Sequence, residues 1–193
     1  QRIAERIGAL LDTNRYPATC TSFVRLELDP DGQWSLLPEG ISLYDGYALR
    51  SVRPTAIVVR CDLPLAEYPT SGREALHALF LQQARRTGAG AVIRSDAHDR
   101  LRCGDEAPLF AVKGQTVYTP PAPPSVERET AFAAIGQAHL ALIEQEIARE
   151  QLPLFDELFY FDHRGITSLT GCDDVLYTQI IAERIARSLA QLR

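Results

Sequence analysis

A strand, a turn, a second strand and a proline loop follow one another in the middle of the chain, and this run constrains the fold most. Leu109–Val112 and Thr116–Tyr118 are rich in apolar and β-branched residues, and Lys113-Gly114 between them favours a hairpin turn. A rigid loop is predicted next from Pro120, Pro121, Pro123 and Pro124. A helix is then predicted to begin near Ser125. One core must therefore accommodate both a sheet and a helix.

The rest of the chain alternates between the two periodicities. Apolar residues at helical spacing predict helices over residues 2–12, 71–86, 125–139, 141–150 and 179–192. Short extended segments are an alternative within the fourth of these. Period-two or continuous apolar runs predict strands over residues 23–28, 33–37, 41–49, 55–60, 91–93 and 158–161. Ser71 is the predicted N-cap of the second helix, and residues 63–70 are the predicted linker. This mixture predicts an α+β (mixed α/β) fold.

Size and charge exclude several classes of protein. The 193 residues, 46% of them hydrophobic, are enough for a sizeable core. The net charge of −5 repels phosphate backbones, so we expect no nucleic-acid partner. No apolar run approaches the roughly 20 residues of a membrane span. We therefore expect a soluble, cytoplasmic protein that has no membrane contact.

The cysteines predict neither a metal site nor a disulfide framework. They are far apart in the sequence and form no C-x-x-C pair, so the spacing of metal ligands is absent. We expect ordinary, mostly buried thiols at Cys20, Cys61, Cys103 and Cys172.

Several segments, in a fixed order, resemble the class IV aminotransferase family. This family includes branched-chain aminotransferases, D-amino acid aminotransferases and aminodeoxychorismate lyases. Its motifs YVRL, GADEAILL, NLFAVKGG, TPP, GITR, DEVF and GITPV have counterparts here. In chain order these counterparts begin at Phe23, Gly88, Leu109, Thr119, Ser125, Asp156 and Gly165.

The resemblance implies a fold, a cofactor and a class of ligand. It implies a smaller N-terminal lobe at residues 1–67 and a larger C-terminal pseudo-barrel lobe at residues 68–193. Pyridoxal phosphate (PLP) would lie between the lobes, with aminotransferase or lyase activity and a small carboxylate or amino acid as ligand. Because the family is usually dimeric or larger, we expect a homodimer.

The lysine that this chemistry needs is absent from its expected place. A PLP aminotransferase holds its cofactor through a lysine amine, which in the family lies just before the helix predicted here from Ser71. The nearest basic residue is Arg73, whose guanidinium stays protonated and forms no useful imine. Lys113, the only lysine of the chain, lies in the predicted hairpin turn. No catalytic residue is therefore predicted.

A second departure concerns the pyridine ring. In the family a glutamate faces the ring nitrogen and keeps the ring an electron sink. The resemblance assigns that position to Cys103, unless a different loop register brings Asp105 or Glu106 there.

The predicted phosphate site is also altered. Ser125, Val126 and Arg128 match the family's motif at a helix start, where backbone amides suit a phosphate. The family's phosphate-binding threonine falls on Asp162, and a carboxylate there repels phosphate unless it is neutralised by His163 or Arg164. Arg25, which matches the arginine of the first motif, is the candidate partner of a substrate carboxylate.

Three functions stay open on the sequence. The first is a class IV aminotransferase-like or aminodeoxychorismate lyase-like protein whose PLP chemistry is degenerate. The second is a lysine-independent enzyme that uses PLP or another small molecule in the inherited cleft, where Cys103, Asp162, His163 and Arg164 would supply polar groups. The third is a non-catalytic, dimeric binding or structural protein.

Overall fold

The computed structural model describes residues 2–17, 21–42, 48–62, 70–189 and 191. The chain divides into two compact units, Gln1–Gly46 and Tyr47–Arg193. The lobe boundary predicted at residues 67 and 68, and nearly all of the linker predicted there, lie outside the described residues. That boundary stays a prediction.

The first unit contains an amphipathic helix and a hairpin. Helix α1 spans Arg2–Thr13, and strands β1 (Thr21–Leu28) and β2 (Trp34–Ser42) pair antiparallel. In the turn the amide of Gly32 donates to the carbonyl of Asp29 at 3.0 Å, and Gly32 has a φ of 78° that glycine adopts readily. The predicted first helix and hairpin are confirmed.

The second unit has three helices and two sheets in the part of the chain that the structure describes. The helices are α2 (Ser71–Arg86), α3 (Val126–Gln137) and α4 (Ile180–Leu189). The six-stranded sheet has the order β3-β11-β10-β7-β8-β9, and the five-stranded sheet has the order β13-β12-β4-β5-β6. Their strands are β3 (Ala48–Leu49), β4 (Thr55–Arg60), β5 (Ala91–Ser95), β6 (Leu101–Gly104), β7 (Leu109–Lys113), β8 (Thr116–Thr119), β9 (Ala141–Glu144), β10 (Glu157–Asp162), β11 (Gly165–Ser168), β12 (Gly171–Cys172) and β13 (Val175–Leu176).

The side-chain alternation of β7 shows how this unit is layered. Leu109 and Ala111 enter the core that joins the two sheets, whereas Phe110 and Val112 enter the core beneath α3 and α4. Helix α2 covers the five-stranded sheet through a third cluster that includes Ala84. Both sheets combine parallel and antiparallel pairs, so the predicted mixed α/β fold is confirmed.

Two local predictions were wrong. Residues 141–150 do not form an α-helix, and the alternative of a short extended segment is confirmed, because Ala141–Glu144 pairs in parallel with β8 and a 3-10 helix begins only at Arg149. Strand pairing outweighs helix propensity there. The N-cap of α2 is Thr70 rather than Ser71, since the Thr70 hydroxyl accepts a hydrogen bond from the amide of Arg73 at 3.2 Å.

Other predictions were incomplete. The strand predicted over residues 41–49 is divided between the end of β2 and the short β3, and residues 43–47 lie outside the described part. Strands β6 and β11 were not predicted. Cys103 and Cys172 are buried free thiols as expected, Cys61 is partly exposed, and Cys20 is outside the described residues. Among the described residues, no helix is long and apolar enough to cross a membrane.

Candidate functional site

A cavity of about 390 Å³, called the arginine cleft below, lies in the second unit where β5, β6 and the start of α3 meet. Its lining includes four arginines and three carboxylates, which are Arg73, Arg94, Arg102, Arg128, Asp62, Asp96 and Glu106. The remaining lining is mostly small or apolar, with a proline wall made of Pro108, Pro121, Pro123 and Pro124. Fixed proline φ angles keep that wall stiff.

A strained turn after β6 positions two acidic side chains beside the cleft. Gly104 and Ala107 exchange backbone hydrogen bonds of 3.0 and 2.9 Å, with Asp105 at φ 46° and Glu106 at φ 63° between them. A residue other than glycine in the left-handed region of φ/ψ space costs roughly 1 kcal/mol of conformational free energy. The Asp105 carboxylate accepts from the Val92 amide and from the Tyr160 hydroxyl, each at 2.8 Å. The turn therefore holds one carboxylate in the scaffold and directs the next, that of Glu106, to the cleft.

Glu106 joins two arginines and a cysteine, and we call Arg73, Arg94, Cys103 and Glu106 the Arg94 cluster. Arg94 Nε lies 3.4 Å from Glu106 Oε1, while Arg73 pairs with Oε2 of the same carboxylate. Arg73 also donates to the Glu106 carbonyl at 3.2 Å. Arg94 is only 6% exposed, and its Nε has no hydrogen-bond acceptor among the described residues. Two guanidiniums thus share one carboxylate.

Cys103 lies directly opposite Arg94 in the β5–β6 register. Burial raises the pKa of the Cys103 thiol to about 11, with Glu106 adding to the shift and Arg94 and Arg73 opposing it. Burial by itself disfavours the charged form of Arg94, yet Cys103 and Glu106 hold the pKa of this guanidinium above its ordinary value. At neutral pH the pair is therefore an uncharged thiol beside a cation, and the thiol is a poor nucleophile.

Asp96, two residues after Arg94, is the centre of a second group that we call the Asp96 cluster. Its carboxylate accepts the amides of His98 and Arg100 at 2.8 and 3.0 Å. It also accepts Arg100 Nε at 2.8 Å and an Arg102 nitrogen at 2.6 Å. Burial acts to raise the pKa of Asp96, but these four donors hold it well below its usual range.

The start of α3 closes the other end of the cleft. The Ser125 hydroxyl caps the helix by accepting the Arg128 amide at 3.2 Å, while the side chain of Val126 is exposed. Arg128 is 4% exposed, pairs with Glu144, and donates to the Thr119 hydroxyl at 3.1 Å. Ser125 and Arg128 line the cleft, but both are already engaged by the scaffold.

The other predicted site residues lie apart from the lining. Asp162 is paired with Arg164, whose amide donates to it at 2.7 Å, so its negative charge is neutralised. His163 is exposed, and none of these three lines the arginine cleft. In the first unit, Arg25 pairs with Glu39. The cofactor and substrate roles of these residues stay predictions.

The fold is similar to those of solved aminotransferases and of a solved putative lyase. A branched-chain aminotransferase from the archaeon Thermoproteus uzoniensis, determined with norvaline, is 21% identical, with a TM-score of 0.74 over 98% of this chain and 70% of that chain. An aminotransferase from Brucella abortus bound to PLP is 17% identical, with a TM-score of 0.76 over 98% of this chain and 75% of that chain.

A putative 4-amino-4-deoxychorismate lyase from Legionella pneumophila is 17% identical, with a TM-score of 0.67 over 83% of this chain and 62% of that chain. No protein-family model matches the sequence, and no curated protein matches it. At these identities the likeness establishes the fold, which is class IV aminotransferase-like.

The residues of the cleft do not fit PLP as a covalently held electron sink. Lys113 is exposed at the end of β7 and does not line the cleft, so the chain's only amine side chain is not there. The position that the resemblance assigns to the pyridine-facing glutamate holds the neutral Cys103 thiol beside the Arg94 cation. A cation in that place opposes protonation of a ring nitrogen.

The sequence did not single out Arg94, and it offered Glu106 only as an alternative to Cys103 at the pyridine-facing position. Arg94 stood just beyond the predicted strand over residues 91–93, where an arginine ordinarily turns to water. Its burial depends on Glu106 and on Arg73, which are distant in sequence. The sequence does contain one indication of a charged site at this strand end. Arg94 directly follows the apolar run, and a second charged residue, Asp96, follows two positions later.

Proposed function

We propose that this chain is a class IV aminotransferase-like protein that has lost PLP imine chemistry and binds a small molecule non-covalently in the arginine cleft. One observation carries the proposal. The only lysine, Lys113, is exposed on a hairpin, whereas the cleft presents the Arg94 cluster, in which Arg94 and Cys103 are buried.

The chemistry of the lining favours binding over catalysis. Its arginines stay protonated at every physiological pH. Cys103 is held as a thiol, and the low pKa of Asp96 keeps that carboxylate ionised. A general acid or base works best when its pKa is near the working pH, and none of these groups meets that condition.

Reductive trapping tests the proposal. The protein is mixed with PLP, freed of excess cofactor, reduced with borohydride and weighed by mass spectrometry, with Lys113→Arg as the matched control. We expect no stoichiometric adduct and no transaminase turnover, because Lys113 is exposed at the end of β7 and does not line the cleft. A stoichiometric adduct on Lys113, with turnover that Lys113→Ala abolishes, would overturn the proposal.

The same experiment addresses the lysine-independent enzyme. If PLP stays bound after removal of the excess but forms no adduct, the cleft accepts the cofactor without a lysine and the second candidate gains support. Trace labelling decides nothing, since any exposed amine reacts slowly with an aldehyde.

We also propose a homodimer in the cytoplasm. Leu26 and Leu28 lie on the same face of β1 and are 56% and 72% exposed, and an exposed apolar face of this kind favours a protein contact. Light scattering at micromolar concentration is expected to give twice the chain mass, and a monomer would contradict the proposal.

A further inference from the structure

We propose that the Arg94 cluster binds the carboxylate of a small organic acid whose apolar body packs against the proline wall. This inference rests on the proposed non-covalent function and specifies the chemistry of its ligand.

Charge is the first argument. Arg73 and Arg94 both pair with the Glu106 carboxylate, and Cys103 is neutral, so the four side chains of the cluster together carry more positive than negative charge. The other two cations of the lining, Arg102 and Arg128, pair with Asp96 and Glu144. Asp62, the remaining carboxylate of the lining, is exposed to solvent. A negatively charged ligand is therefore favoured over a neutral one.

Hydrogen bonding is the second argument. The side chain of Arg94 is 8% exposed, and its Nε lacks an acceptor among the described residues. A buried donor without an acceptor is unfavourable, because it has lost its hydrogen bonds to water. A carboxylate matches a guanidinium in both charge and planar geometry. Arg94 lines the cleft, so a ligand there can supply the acceptor.

The other features of the lining favour an organic carboxylate over a phosphate. At the start of α3, Glu127 and Glu129 add negative charge in the first turn, and the Ser125 hydroxyl is already used as the cap. The proline wall offers an apolar surface that inorganic phosphate does not use, and a volume of about 390 Å³ is ample for a ring-sized acid.

The experiment titrates the whole chain calorimetrically with benzoate, with its neutral analogue benzamide and with inorganic phosphate. We expect one benzoate per chain, bound about tenfold or more tightly than benzamide or phosphate.

The variants test which residue binds the ligand. Arg94→Gln should weaken benzoate binding at least about tenfold, because the buried cation is removed. Glu106→Gln should instead strengthen it, because the Glu106 carboxylate then no longer competes with the ligand for Arg94. Arg60→Gln is the matched control, since Arg60 is 58% exposed, pairs with Asp99 and does not line the cleft.

Opposite responses to Arg94→Gln and Glu106→Gln support the inference. It is overturned if benzoate fails to bind, if phosphate or benzamide binds as well, or if both variants match the wild type. Should Arg94→Gln not fold, the direction of the Glu106→Gln effect and the benzamide comparison decide the matter. The proposed function fails on a different readout, the stoichiometric adduct on Lys113, so the two failures are distinguishable.

Discussion

The Arg94 cluster and the Asp96 cluster are centred two residues apart in the sequence, at the end of β5. They differ in whether the central charged group has all of its hydrogen-bond partners. In the Asp96 cluster a single buried carboxylate receives two amides and two guanidiniums at 2.6–3.0 Å. In the Arg94 cluster two guanidiniums share one carboxylate, and Arg94 Nε is left without an acceptor among the described residues. A closed network of this kind supports a fold, whereas an open one leaves an interaction for a ligand.

The largest effect is expected for Asp96→Asn. This change removes a buried charge that four donors surround, so we expect the free energy of unfolding to fall by about 3 kcal/mol, as for other broken buried ion pairs. Urea denaturation at pH 7 measures the loss. A change below about 0.5 kcal/mol would mean that the closed network contributes little.

The effect should depend on pH in a defined direction. The pKa of Asp96 is lower in the folded protein than its ordinary value, because the four donors outweigh burial. Its stabilising contribution is therefore complete above about pH 4 and is lost as the pH falls below that value. The difference between wild type and Asp96→Asn should shrink on acidification, and a difference that grows instead would contradict this account.

A smaller loss is expected for Glu106→Gln. Without this carboxylate two neighbouring guanidiniums lack their shared partner, and we expect a loss of about 2 kcal/mol. Added benzoate should recover part of it, since the ligand supplies the missing negative charge. Denaturation with and without benzoate tests both points, with benzamide as the neutral control.

Arg94→Gln should change stability by less than about 1 kcal/mol. The change leaves Glu106 paired one-to-one with Arg73, and replacing a buried charge without stranding its partner is often close to neutral. A loss as large as that of Asp96→Asn would show that the Arg94 cluster is structural, and would remove the contrast between the two clusters.

The smallest effect on stability is expected at Cys103. Cys103→Ser preserves size, so a change within about 1 kcal/mol is expected. The buried environment of the Cys103 thiol should nevertheless make it slow to react with alkylating reagents. With a pKa of about 11, it forms roughly two hundredfold less thiolate at pH 8 than an ordinary cysteine of pKa about 8.5. Peptide mapping after iodoacetamide should find Cys61 labelled well before Cys103, and the reverse order would contradict the assigned pKa.

The secondary structure could be predicted from the sequence wherever a turn or a helix cap determines it locally. The β7–β8 hairpin is fixed by its Lys113-Gly114 turn, and α3 by the Ser125 cap. Strand β6 was missed because its turn uses Asp105 and Glu106 in a left-handed conformation without the glycine or asparagine that usually marks one.

The candidate site followed only in part. The absence of a suitably placed lysine was visible in the sequence, and Cys103 was identified from the resemblance as a replaced cofactor contact. The Arg94 cluster was not visible, because it joins α2, β5, β6 and the following turn through tertiary contacts. The excess charge appears only when those elements are brought together.

The most direct test of the central contrast measures how benzoate changes the free energy of unfolding of three proteins. Wild type and Arg100→Gln, which weakens the Asp96 cluster but changes no residue of the cleft lining, should both gain about 1.4 kcal/mol at a benzoate concentration ten times the dissociation constant. Arg94→Gln should gain almost nothing. Equal gains in all three proteins, or no gain in the wild type, would contradict the account.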